Sequence, residues 1–157
     1  MSGREDEILE KELEKLGVAG RKTGARLVGI SQLEKIADDA PVVRKAASKL
    51  PTGQYQEECV MEGEPKRALQ KAYDVLKETG RVLEENERDS SLNPRISGVV
   101  GSGFLGKNPA VIHVEIVDVL DTRCTLRVTG SAKEGLIKQG TAEKAVKKVI
   151  RELEARK

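Results

Sequence analysis

The sequence predicts an α+β two-layer sandwich, in which a four-stranded, mainly antiparallel sheet is covered on one face by two helices and preceded by a helical N-terminal extension. Three observations predict it. From residue 54 the pattern runs strand, helix, strand, strand, strand, helix. Each of the two helical segments carries a single apolar stripe, which asks to be laid on one surface. The strand Arg123 to Gly130 alternates cleanly, with Cys124, Leu126 and Val128 on one side and Arg123, Thr125, Arg127 and Thr129 on the other. That alternation marks an antiparallel strand with one wet face, and the economical arrangement lays both helices on the dry one.

The elements follow in order. Residues 5–16 read as a helix, with Ile8, Leu9, Leu13 and Leu16 on one stripe, acids in the first turn and Gly17 at the stop. Gly17, Gly20 and Gly24 interrupt a basic stretch containing Arg21, Lys22 and Arg26. Short helices are expected from Ser31 to Asp39 and from Pro41 to Leu50, ended by Pro51-Thr52-Gly53. This places a boundary between an extension over 1–50 and a domain over 51–157.

Within the domain, Tyr55 to Met61 reads as a strand, and Lys66 to Glu85 as a long helix burying Leu69, Ala72, Tyr73, Leu76 and Leu83. Gly80 is its weak point. A polar loop from Asn86 to Pro94 leads to a short strand, Ile96 to Val100. Val111 to Leu120 is rich in β-branched residues on both faces, as in a strand interior to a sheet. Asp121-Thr122 makes a tight turn into Arg123 to Gly130. The last helix is capped by Thr141 and shows Ala142, Ala145, Val146, Val149, Ile150 and Leu153 on one face.

Composition narrows the classes of function. Three aromatic rings in 157 residues leave an almost wholly aliphatic core. No stretch approaches the roughly 20 apolar residues of a membrane span. Met1 to Glu7 shows no apolar signal region, and the two cysteines, read as buried thiols, lead to the expectation of a cytoplasmic setting. Twenty-eight basic and twenty-six acidic residues give a net charge of +2. The excess is concentrated in 17–50, with seven Lys/Arg against three acids, and in 107–157, with eleven against seven. Cys59 and Cys124 stand alone on apolar strand faces, as buried thiols do. With His113 they give at most three Cys/His ligands, short of the about four that structural zinc takes, so no metal is expected.

Two places could carry chemistry. Gly101-Ser102-Gly103-Phe104-Leu105-Gly106-Lys107 follows a strand and has the glycine spacing and Lys of a phosphate-binding loop, with Gly101, Ser102, Gly103, Gly106 and Lys107 as the candidate contacts. Asn108 stands where a magnesium-binding hydroxyl belongs, and the β-branched run after Pro109 is no helix, so an ordinary strand connection is the stronger reading. Arg123, Arg127 and His113 form the polar side of the last strands, with Glu115 on the same face as His113. That face reads first as an ordinary solvated sheet surface, and otherwise as one that could receive an acidic partner or a nucleic-acid backbone. Ser97, Ser102 and Ser131 show no spacing that would make one of them a nucleophile for His113.

These residues point to a non-catalytic binding or protein-interaction domain with no cofactor. The helix over 5–16 offers its stripe to a protein partner or a second copy. The alternatives are a small nucleotide- or phosphate-binding protein using loop 101–107, and a nucleic-acid-associated protein using the basic segment 17–50.

Overall fold

The computed structural model describes residues 3–15, 48–83, 94–102, 108–134 and 140–156. In chain order these form helix α1 (residues 3–15), strand β1 (Thr52–Glu62), helix α2 (Pro65–Thr79), strands β2 (Gly80–Val82), β3 (Arg95–Ser102), β4 (Asn108–Leu120) and β5 (Arg123–Lys133), and helix α3 (Thr141–Glu154). The α+β class holds. The single sheet runs β1-β5-β4-β3-β2, and every neighbouring pair is antiparallel. The β-branched strand β4 lies at its centre. The short helices expected over 31–39 and 41–50, and the loop 86–93, lie outside the described residues apart from 48–50.

The sheet has five strands where four were expected. Helix α2 stops at Thr79, and Gly80 turns the chain into β2, which pairs with β3. A Cβ at Gly80 would stand 2.0 Å from the Val99 carbonyl oxygen, so only glycine lets the two backbones come this close. Ending the helix there also changes its buried side. Ala68, Ala72, Val75 and Leu76 face the sheet, while Tyr73 is 39% exposed.

Helices α2 and α3 share the inner face. Beneath them lie Ala110, Ile112, Val114 and Ile116 of β4 with Cys124, Leu126 and Val128 of β5. Helix α3 contributes Ala142, Ala145, Val146, Val149, Ile150 and Leu153 at helical spacing. Each fully buried Val or Leu in such a layer is worth about 1.5–3 kcal/mol of transfer free energy. The capping of α3 differs from expectation. Gly140 takes the N-cap position in the left-handed region, at φ 61°, and Thr141 is the first helical residue. The Thr141 N–H donates to Glu134 Oε1 at 2.8 Å, so a distant carboxylate supplies the cap.

The layer arrangement also differs. Helix α1 packs on the opposite, outer face, where Leu9 is fully buried against Val99 and Val111, with Ile8 and Leu83 beside it. The sheet is therefore covered on both faces. Odd positions 111, 113 and 115 of β4 point outward, in phase with 127, 129 and 131 of β5. A register shift between Ile116 and Asp118 then re-phases the end of β4, and Val119 and Leu120 emerge 51% and 62% exposed. Among the described residues, no helix is long and apolar enough to cross a membrane.

Candidate functional site

The outer face holds a polar cluster under α1. Positions 5, 9 and 12 of a helix fall on one side, so Glu5 and Glu12 flank the buried Leu9 and meet the sheet with it. Glu5 Oε1 lies 2.9 Å from His113 Nε2, and Glu5 Oε2 accepts a 2.6 Å hydrogen bond from the Ser131 hydroxyl. The other imidazole nitrogen, Nδ1, lies 2.7 Å from Ser97 Oγ. With Glu5 a carboxylate, the imidazole donates through Nε2 and accepts the Ser97 hydroxyl at Nδ1. Asp6 Oδ1 accepts from Thr52 Oγ1 at 2.6 Å and pairs with Lys133 Nζ at 2.9 Å. Glu12 Oε1 meets Lys15 and Arg81 at 2.9 and 2.7 Å. Its burial alone would raise its pKa. The Lys15 hydrogen bond, with the Lys15 and Arg81 charges, outweighs this and holds the carboxyl below its usual range.

Hydroxyl, imidazole and carboxylate are the groups of a nucleophilic relay. Here they are packed away: Ser97 is 3% and His113 6% exposed, beneath α1. Each ring nitrogen is engaged as in such a relay, Nδ1 by Ser97 and Nε2 by Glu5, and it is the cover by α1 that keeps the hydroxyl from a substrate. The cluster fastens a helix to a sheet.

Of the sequence-derived candidates, Arg127 and His113 do share the outer face, but His113 is covered. Arg127 stands beside Glu58 at 2.9 Å and Glu115 at 3.4 Å. Arg123 is exposed at the start of β5, opposite Glu62. Gly101 and Ser102 end β3, opposite Pro109 and Asn108. Asn108 opens a strand rather than a helix. Gly103, Gly106 and Lys107 lie outside the described residues, as do 16–47, which hold most of the basic segment. The contacts of Glu5, Asp6, Ser97, Ser131 and Lys133 were not anticipated. One signal was present: reflecting β3 onto β4 about Leu105, the midpoint of the glycine loop, sets Ser97 opposite His113.

A second place is open to solvent. A groove of about 660 Å³ lies between the start of β1 and the N-terminal turn of α3. Leu50, Pro51 and Ala142 supply its apolar lining, and Lys49, Tyr55 and Glu143 stand among its polar residues. Glu134 holds it in shape, because its N–H donates to the Pro51 carbonyl at 2.9 Å while its side chain caps α3. Gly53 keeps it wide, since a Cβ there would come within 3.2 Å of Glu134 Cγ. The Tyr55 hydroxyl donates to Glu57 Oε2 at 3.0 Å, and that hydrogen bond raises the phenol's pKa. Lys147 lies 5.7 Å from the Tyr55 ring centre and pairs with Glu143 at 2.6 Å.

Among the described residues no three His, Cys, Asp or Glu side chains converge as a metal site. The inner face holds Cys59 and Cys124 as buried thiols outside any disulfide, and burial pushes the Cys124 pKa up. No family model matches the chain, and no curated protein matches it.

Proposed function

We propose that the protein is a non-catalytic binding domain whose ligand-accepting part is the groove between β1 and α3. The observation that carries this reading is the groove itself: concave, of ligand-sized volume, mostly apolar in lining and edged by a few polar groups. The burial of the sole imidazole and of Ser97 beneath α1 supports the non-catalytic part. The ligand class that suits it is a small amphipathic molecule, its apolar part against Leu50, Pro51 and Ala142 and its polar end toward Lys49, Tyr55 and Glu143. Native mass spectrometry of the protein from its own host tests this. A mass surplus that disappears in Glu143→Trp, which fills the groove from the first turn of α3, is the expected result. A bare polypeptide mass for both proteins counts against the groove.

A further inference from the structure

Strand β1 ends the sheet order and pairs with β5 alone among the described strands. The phase of that ladder is fixed at both ends. The Gly63 N–H donates to the Thr122 carbonyl at 2.6 Å, and the Glu134 N–H to the Pro51 carbonyl at 2.9 Å. Odd-numbered residues therefore exchange hydrogen bonds with β5. Thr52, Gln54, Gln56, Glu58, Val60 and Glu62 turn their N–H and C=O groups away from the sheet. The register runs unbroken from Thr52 to Glu62. The strand is 11 residues long and contains neither proline nor lysine. An edge of this length without a bulge is a template for another strand, and only its carboxylates restrict the choice.

Those carboxylates select the occupant and its register. Like charges placed directly opposite each other destabilise a strand pair. A two-fold axis at Glu57 or Glu58 would set a carboxylate against its own copy. An axis at Gln56 does not, and of the axes that avoid such a clash it pairs the longest run of the strand, Thr52 to Val60. It places Glu57 opposite the partner's Tyr55, Glu58 opposite the partner's Gln54, and Val60 opposite the partner's Thr52. The flank of α3 adds complementarity. Lys144, Lys147 and Arg151 line a groove of about 440 Å³ together with Ile150, Glu57 and Glu154, so cations outnumber carboxylates there. A strand added to β1 turns its inward side chains toward that flank, so the partner's Glu57 meets lysine and arginine, and the symmetry repeats the contact.

We propose that two copies of this chain associate through the outward edges of β1, antiparallel about a two-fold axis at Gln56, to form one continuous ten-stranded sheet. The pairing satisfies the outward backbone groups from Thr52 to Val60. It also adds the partner's Glu57 and Glu58 to the rim of the groove, opposite Tyr55 and Gln54.

Light scattering on the full chain tests it. The wild type is expected at twice 17.1 kDa, and Gln56→Pro at 17.1 kDa with an unchanged circular dichroism spectrum. Proline at 56 removes an N–H aimed at the partner and leaves the β5 ladder intact. Gln56→Lys, which sets two cations together on the axis, serves if the proline variant does not fold. Under mild oxidation Gln56→Cys should give a disulfide-linked dimer, while wild type and Glu58→Cys should not. A wild-type monomer at roughly 100 μM, where an interface of ordinary strength is occupied, overturns the proposal. A dimer that survives Gln56→Lys overturns it too, and cross-linking through position 58 instead of 56 overturns the register.

Discussion

The Nε2 atom of His113, in the central strand, lies 2.9 Å from Glu5 Oε1, on a helix 108 residues earlier in the chain. The same carboxylate takes the hydroxyl of Ser131, which is fully buried. One residue of α1 therefore satisfies polar groups on two strands. Leu9, one turn on, supplies the apolar contact.

Glu5→Ala should destabilise the protein by about 1–3 kcal/mol, because it strands a buried imidazole nitrogen and a buried hydroxyl. Glu5→Gln, whose amide oxygen still accepts from Ser131, should cost less. Urea denaturation measures both. Equal stability of Glu5→Ala and wild type would mean that the contact holds nothing.

How far the sequence revealed this fold depends on how local each signal was. The alternation of Arg123 to Gly130 and the stripe from Ala142 to Leu153 are set by neighbouring residues, and both elements stand where expected. Strand β2 was hidden because Arg81 and Val82 also suit a helix. What ends α2 is the backbone of β3 against Gly80, a contact absent from the local sequence. The cover on the outer face was hidden for the same reason. Val111 and His113 looked like one side of an interior strand, but nothing nearby named α1 as their cover. Of the groove, only its glycines and Pro51 were visible; the cap that Glu134 gives to α3 was not.

Gly130→Ala tests how closely α3 rests on the sheet. A Cβ there would meet Val146 Cγ2 at 2.7 Å and the Ala142 carbonyl oxygen at 3.1 Å. The helix would have to move away, at a cost of about 1–3 kcal/mol for an overpacked core. Thermal melting followed by circular dichroism should show the loss. An unchanged melting temperature would contradict the close packing.

The two thiols should resist modification in the folded state. Cys59 and Cys124 are 6% and 1% exposed, and burial raises the Cys124 pKa, which lowers its thiolate fraction. An aromatic disulfide reagent should titrate no thiol in native buffer and two in denaturant. Rapid reaction of one thiol under native conditions would place it at the surface.

Acid should weaken the hold of α1 through Glu12. Its pKa is lower in the folded protein than in the unfolded chain, so the unfolded state takes up the proton first as pH falls. The stabilisation is whole above the unfolded value and is lost as pH drops through the folded one. Glu12→Gln should flatten that part of the stability–pH curve while leaving the neutral limb parallel to wild type. Superimposable acid limbs would remove Glu12 from the account.

A chain beginning at Pro51 should still fold, though less stably. The inner core is built from residues between Tyr55 and Leu153, and none of its members lies in α1. Removing α1 uncovers Val99 and Val111 and takes the carboxylate partners from His113, Ser131 and Lys133. Losing Leu9 resembles a large-to-small core substitution, worth about 2–5 kcal/mol, and the newly exposed polar groups regain water and add little. The uncovered strip also gives the shortened chain a new tendency to associate. Circular dichroism should report the sheet and both inner helices, urea titration a lower midpoint, and light scattering a larger mass. A random-coil spectrum would make α1 part of the core, and the boundary at residue 51 would then be misplaced.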